Sequence, residues 1–142
     1  MAKSVMKDPY VKINNVDLSG DKGVKSLTID YSAELQDVTG SGDDNRAMLA
    51  GLKDYTIQVE FYQNYDAAKV DGTLFDLVGA AQFAVEIRPH QTPVGTTNPS
   101  FTANMLLENY QPVAGTVGEV QMAPITLRPG TTGGALKRAT SG

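Results

Sequence analysis

The sequence lacks the residues on which many catalytic and metal-binding sites depend. Its 142 residues contain no cysteine, no tryptophan and a single histidine, His90. Without cysteine there can be no disulfide, no thiolate zinc site and no cysteine nucleophile. His90 follows Pro89 in a stretch with no Ser or Asp pattern of a catalytic triad. We therefore predict no catalytic residue, no cofactor and no metal site, and a protein that is not an enzyme.

Positive charge and long apolar runs are also scarce. The chain has 12 Lys and Arg against 16 Asp and Glu, a formal charge of -4, which argues against tight binding to a phosphate backbone. No run approaches the roughly 18 to 20 apolar residues of a membrane span, and the first residues lack the apolar segment of a signal peptide. We expect one domain, made in a cytosol, without membrane insertion.

Glycine and proline divide the chain into short segments in which apolar residues alternate, the period of β-strands. Strands are predicted at residues 10–16, 24–37, 53–64, 82–88, 101–110 and 119–128, with a turn at 20–23. Residues 67–81 carry apolar residues at helical spacing, which predicts one short helix. Residues 130–142 show no core pattern, and we expect a mobile C-terminal tail there. The chain is predicted to be mainly β.

The two longest predicted strands each have an apolar and a polar face. Alternation places on the core side Leu27, Ile29, Tyr31, Ile57, Val59 and Phe61. The opposite, polar side carries Ser26, Thr28, Asp30, Ser32, Glu34, Thr56, Gln58 and Glu60. Carboxylates that alternate along strands indicate a solvated face more often than a catalytic acid and base.

The connection between these strands is predicted to be a long loop over residues 38–52. Hairpin loops usually have two to five residues, so a loop of this length indicates a function. Its glycine-rich first part lacks the Lys of a phosphate loop and the closing Glu of a calcium loop. Its apolar second part must bury against another subunit or against its own core. The candidate contact residues are Asp43, Asp44, Arg46, Met48, Leu49 and Leu52.

Four stretches resemble the major tail proteins, or tail tube proteins, of long-tailed bacteriophages. They are residues 9–19, the two long strands at 24–31 and 51–61, and residues 106–110, within a resemblance that covers most of residues 5–128. The resemblance implies a β-sandwich or barrel-like subunit of a single domain, with one short flanking helix and an N-terminal arm over residues 1–9. In this family, hexameric rings of the chain stack into a tube, and the inner strands form a continuous β-barrel. The loop at 38–52 would reach the next ring.

The resemblance also implies a function, a structural virion protein of the tail through which the genome passes. The polar strand faces would line the lumen, where carboxylates repel phosphates and DNA passes without specific binding. Implied partners are the chain itself, the tape-measure protein and tail-terminator or baseplate proteins, with assembly in the host cytoplasm. Two alternatives stay open: a capsid decoration or head–tail joining protein on a similar β domain, and a monomeric carbohydrate- or ligand-binding module.

Overall fold

The computed structural model of the chain describes residues 5–20, 23–67 and 69–141. The first four residues of the predicted arm, the centre of the predicted turn at 20–23, one residue of the predicted helix and the last residue of the predicted tail lie outside the described residues. The strands are β1 (Tyr10–Ile13), β2 (Val16–Asp17), β3 (Val24–Asp37), β4 (Met48–Tyr62), β5 (Phe83–Arg88), β6 (Ser100–Tyr110), β7 (Met122–Pro129) and β8 (Lys137–Ala139). Helix α1 spans Val70–Leu74 and continues as a 3-10 turn over Phe75–Leu77.

All strands belong to one antiparallel sheet in the order β2-β1-β5-β6-β7-β4-β3, with β8 also paired to β6. Strand β6 changes partner along its length, since its first half pairs with β5 and its second half with β7. Strand β8 then lies beside the start of β6, where β7 has ended. The predicted mainly β fold is confirmed, and β3 has the predicted bounds.

The sheet curls around its own apolar face and so forms the core of the subunit. Five of its strands bury alternate residues on that face, including Ile57, Val59 and Phe61 of β4. Leu27 and Ile29 of β3 line a groove together with Ile87 and Phe101, which belong to strands far from β3 in the sheet order. The fold is therefore barrel-like. Each fully buried aliphatic or aromatic side chain of its core contributes about 1.5–3 kcal/mol of transfer free energy to folding.

The helical segment covers one end of this core through Val70, Leu74 and Leu77, all of which are buried. It is shorter than the predicted range of 67–81. Because Val70, Gly72 and Thr73 are poor helix formers, packing of a single apolar stripe stabilises only a short helix here.

Two features of the body differ from the sequence-based expectation. Tyr31, expected in the core, is 50% exposed, because β3 passes beyond the end of the curled sheet at this residue; its ring lies edge-on to Tyr55 with centroids 6.4 Å apart. Strand pairing also continues outward to the pair Asp37 and Met48. The connection is therefore residues 38–47 and not 38–52, since pairing satisfies backbone groups that a loop would leave to water.

The C-terminal segment, where the sequence predicted a mobile tail without core contacts, lies along the sheet over residues 130–141 and pairs with β6 through β8. The amide of Gly130 donates to the carbonyl of Asn104, and the amide of Asn104 donates to the carbonyl of Gly133, both at 2.9 Å. A Cβ on Gly134 would clash with the carbonyl oxygen of Gly130. Only glycine permits this close turn, which returns the chain to β6 and brings Leu136 against the core.

Candidate assembly site

The predicted polar residues of β3 and β4 do lie on a common face. Ser26 is paired with Glu60, Thr28 with Gln58 and Asp30 with Thr56, so their side chains share one side of the sheet. Ser32 is paired with Asp54 on the same side, whereas Glu34 falls at a register shift between Ala33 and Leu35 and has no direct cross-strand partner. We call this surface, continued onto β7 by Thr126 opposite Gln58, the polar face.

Three charged residues of the polar face were not predicted from the sequence. Arg128 on β7 lies with Nη2 2.8 Å from Oδ2 of Asp54 and with Nη1 4.0 Å from Oε2 of Glu108. Asp54 has the same alternation as the predicted Thr56 and Glu60, so the strand period could have identified it. Arg128 and Glu108 depend on the pairing of β6 with β7, a long-range contact that a local pattern does not specify.

The polar face carries a surplus of negative charge. Among the described residues, its five carboxylates lie with two cations, Arg128 and Lys25, whose Nζ is 3.6 Å from Oε1 of Glu60. The carboxylates are Asp30, Glu34, Asp54, Glu60 and Glu108. Such exposed ion pairs contribute at most about 1 kcal/mol each to stability. Their main effect is on the electrostatic potential at the polar face, which remains negative and disfavours phosphate groups.

The outer part of the β3–β4 hairpin projects away from the body. From Tyr31 to Asp37, β3 extends over roughly 20 Å at about 3.4 Å per residue, and every residue of this stretch is exposed. Residues 48–54 of β4 are also all exposed, although they pair with β3. We call residues 32–54 the outer hairpin.

The predicted contact residues of the outer hairpin divide into two groups. Met48, Leu49 and Leu52 are 49%, 60% and 79% exposed and do not belong to the core of the subunit. Leu35 and Val38 add two further exposed apolar side chains. Because Met48 and Leu49 are consecutive in β4, their side chains point to opposite faces, so the hairpin exposes apolar groups on both faces. Exposed apolar side chains in this number on one element favour contact with another chain.

The polar members of the group instead hold the hairpin tip together. Nη1 of Arg46 lies 2.6 Å from Oδ2 of Asp37, and the amide of Gly40 donates to Oδ2 of Asp43 at 2.7 Å. Hydrogen bonds from Thr39, including its amide at 2.9 Å, lower the pKa of Asp37 below its ordinary value. Asp44 is exposed. The tip is thus a defined turn and not a slack loop.

The sheet also has open strand edges beside the polar face. Strand β3 is paired only with β4 among the described residues, which leaves its other edge free. Residues 106–110 of β6 pair with β7 on one side, and within the described ranges their other side makes only an isolated bridge from Leu107 to Val78. Unpaired edges of this length favour pairing with another chain.

The end of the body opposite the hairpin is closed by a polar network. The hydroxyl of Tyr110 donates to Oδ1 of Asp71 at 2.7 Å and accepts from Nε2 of Gln63 at 3.0 Å. Burial, and next the hydrogen bond to Asp71, raise the pKa of Tyr110 to about 12. The network links helix α1 to β6 and fixes the helix on the core.

The part of the chain that the structure describes contains no group of three or more His, Cys, Asp or Glu arranged to hold a metal ion. Among these same residues, no helix has both the length and the apolar character needed to cross a membrane.

Over nearly its full length, the chain is similar in fold to solved chains of gene transfer agent particles and of a tail tube. A chain in the virion of a native gene transfer agent particle matches with a TM-score of 0.71 and 15% identity, over 96% of this chain and 99% of that one. A chain in the tail of an empty gene transfer agent particle, refined with C6 symmetry, matches with 0.69 and 17%, over 95% and 98%. A chain of the SPP1 tail tube matches with 0.69 and 9%, over 98% and 80%.

A chain of the anti-feeding prophage baseplate is also similar, with a TM-score of 0.57 and 13% identity over 97% of both chains. No protein-family model and no curated protein matches the sequence. At these identities the likeness establishes the fold, which is the one that the sequence resemblance implied.

Proposed function

We propose that this chain is a structural virion protein, a tail tube subunit that assembles into stacked hexameric rings and forms the conduit for genome delivery. The observation that carries the proposal is the outer hairpin, a paired but wholly exposed projection with apolar side chains such as Leu49 and Leu52. It occurs on a chain whose fold matches chains of tail particles over nearly its full length. Contact with neighbouring copies removes this apolar surface from water.

Ring formation follows from the open strand edges. Pairing the free edge of β3 with residues 106–110 of β6 in the next copy would leave neither edge unpaired, and closure of the ring would remove every such edge. The C6 symmetry of the gene transfer agent tail supports six copies in the ring. In that ring the strands β6, β7, β4 and β3 of all copies form one continuous barrel.

The polar face lines the lumen in this arrangement. The residues predicted to face the lumen lie on the side of the sheet opposite the buried core, so closing the sheet with the core outward turns them toward the axis. A surplus of carboxylates repeated in every copy gives the lumen a negative potential. DNA then passes along the tube without specific binding, because phosphates gain no counterion release from the wall.

Stacking of rings places the outer hairpin against the adjacent ring. Met48, Leu49 and Leu52 then bury apolar surface that the free subunit exposes. The defined tip formed by Asp37, Asp43 and Arg46 holds these side chains in position, so less conformational entropy is lost on contact.

A tube of this kind needs partners within and at its ends. We include in the proposal a tape-measure protein in the lumen and tail-terminator or baseplate proteins at the ends, with assembly in the host cytoplasm and final location in the tail. The similarity in fold to a baseplate chain supports a tube subunit and an end-ring subunit that pack through similar surfaces.

Negative-stain electron microscopy of the purified full chain tests the proposal. Hollow tubes of uniform diameter with a repeat along the axis are the expected result. Discrete rings that do not stack would favour the second candidate, a head–tail joining or decoration protein. A monomer at high concentration would contradict assembly and favour a binding module.

A further inference from the structure

A second apolar projection lies at the end of the subunit opposite the outer hairpin. Strand β4 begins at the hairpin tip and ends at Tyr62, which is paired with Met122 at the start of β7. The loop over residues 111–121 enters β7 at this end and exposes Val113, Val117 and Val120 to water. Three exposed valines in one surface loop make a second apolar surface that the subunit itself does not cover.

This loop is held in a fixed shape. At its base, the carbonyl of Pro112 accepts from Nε2 of Gln63 at 2.7 Å and from the hydroxyl of Tyr65 at 2.8 Å. At its tip, the amide of Glu119 donates to the carbonyl of Thr116 at 2.9 Å, and Gly118 adopts a φ of 95° that favours glycine. Val117, fully exposed, is at the apex of this turn. A preordered loop loses little entropy when it binds.

A matching concave surface lies at the base of the outer hairpin. It is an apolar groove of about 340 Å³ between β3 and the β5–β6 end of the body, lined by residues that include Leu27, Ile29, Ile87 and Phe101. Tyr31 and Leu136 also line a second groove of about 280 Å³ beside it. We call the two together the hairpin-base groove.

The charges of the two surfaces are complementary. Lys53 is the single charged residue that lines the hairpin-base groove among the described residues, and Glu119 is the single charged residue of the loop at 111–121. Both side chains are exposed, and neither makes an ion pair within the described part of the chain. An apolar convex loop with one carboxylate thus matches a concave surface whose larger groove is apolar and whose smaller, more polar groove carries one ammonium.

We propose that the loop at 111–121 of one copy docks into the hairpin-base groove of a copy in the next ring, with Val117 in the groove and Glu119 beside Lys53. The inference rests on the proposed tube and names the surface that meets the hairpin side of each subunit. Because donor and acceptor lie at opposite ends of the same chain, the contact is heterologous and does not close between two rings. It therefore repeats along the axis without limit.

Charge exchange tests this pairing on the full chain. Lys53→Glu and Glu119→Lys each place like charges together, and we expect each to raise the critical protein concentration for tube formation about fivefold or more. The double variant, Lys53→Glu with Glu119→Lys, restores opposite charges and should return most of the loss. Lys137→Glu makes the same charge change on the outer side of β8 and should leave tube formation unchanged. Val117→Ser, at an exposed position, should weaken assembly without affecting the fold.

The outcomes are distinct from those for the tube itself. If both single charge variants and Val117→Ser assemble as the parent chain does, or if the double variant is no better than the single ones, the docking is wrong while the tube stands. If the parent chain forms no tubes, the proposed function fails first and the docking fails with it. Circular dichroism and thermal unfolding of each variant before assembly establish that the subunit remains folded.

Discussion

The inner and outer parts of the β3–β4 hairpin are paired by the same ladder yet differ completely in burial. Along residues 55–61 of β4, every second side chain is buried in the core, whereas residues 48–54 of the same strand are all exposed. Both parts have backbone partners in β3, and each part contains one register shift. Strand pairing therefore supplies the shape of the projection, and burial shows which part belongs to the subunit core. The exposed part is the one that the proposed function assigns to contacts with neighbouring copies.

The strongest test of this division is to charge the outer hairpin. Met48→Asp combined with Leu49→Asp should leave the subunit folded and abolish long tubes, because burying two carboxylates without partners costs several kcal/mol at every contact. Tube length is measured by electron microscopy and the fold by circular dichroism.

A matched control adds the same two charges elsewhere. Asn14 and Asn15 are exposed, and both have positive φ, a conformation that Asp also tolerates. Asn14→Asp with Asn15→Asp should therefore leave both fold and tube length unchanged. Tubes of normal length from the Met48 and Leu49 variant would contradict a role for the hairpin in assembly.

The reverse asymmetry should appear in subunit stability. Phe61→Ala removes a fully buried side chain of β4, and we expect a loss of about 3–5 kcal/mol in the free energy of unfolding. Leu52→Ala, in the outer hairpin, should change that free energy by less than about 0.5 kcal/mol. Denaturant titration of unassembled subunits measures both. Equal losses in the two variants would show that the outer hairpin is packed in the free subunit.

The inner part of the hairpin could be predicted from the sequence because the two-residue alternation of apolar side chains matches their burial there. Strict alternation over residues 24–37 predicted the bounds of β3, and the same period placed Ile57, Val59 and Phe61 in the core. It also placed Asp30 opposite Thr56 on a polar face. A one-residue slip would expose the whole core set, so the sequence constrains register strongly.

The structure of the outer part of the hairpin and of the C-terminal segment could not be predicted from the sequence, because no local pattern specifies either one. Apolar and polar residues do not alternate over residues 48–52, since no subunit core selects one face of this stretch. These residues form a strand because they pair with β3. The segment after residue 130 has few apolar residues, and its place depends on the close approach of Gly130 and Gly134 and on pairing with β6. Tertiary contacts of this kind leave no periodic signal.

The polar network at the end opposite the hairpin predicts a smaller, pH-dependent effect. Tyr110→Phe removes the hydroxyl that joins Asp71 and Gln63, and we expect a loss of about 1–2 kcal/mol at neutral pH. The folded pKa of Tyr110, raised to about 12, lies above its ordinary value near 10. The fold therefore favours the neutral phenol, and this contribution is complete below about pH 10 and is lost as the pH rises toward 12.

The measurement is the unfolding free energy of parent and variant between pH 9 and about 12. Other groups also titrate in this range, so only the difference between the two proteins isolates the effect of Tyr110. The difference should shrink as the pH rises. A difference that stays constant across this range would show that the phenol does not titrate differently in the folded subunit.

The smallest expected effect is confined to the tip of the outer hairpin. Asp37→Asn removes the charge that accepts hydrogen bonds from Thr39 and pairs with Arg46, while the core lies far from this residue. The pKa of Asp37 is lowered from its ordinary value of 3.8, so its contribution to tip order is present above that pH and is lost as the pH falls through the folded value. In the parent subunit, backbone NMR relaxation of Thr39 and Ala47 should therefore show increasing motion below about pH 4, whereas the Asn variant should show that motion already at neutral pH. Since the body does not depend on the tip, residues 55–61 should give the same relaxation in both proteins, and a change there would mean that the two parts of the hairpin are not separable.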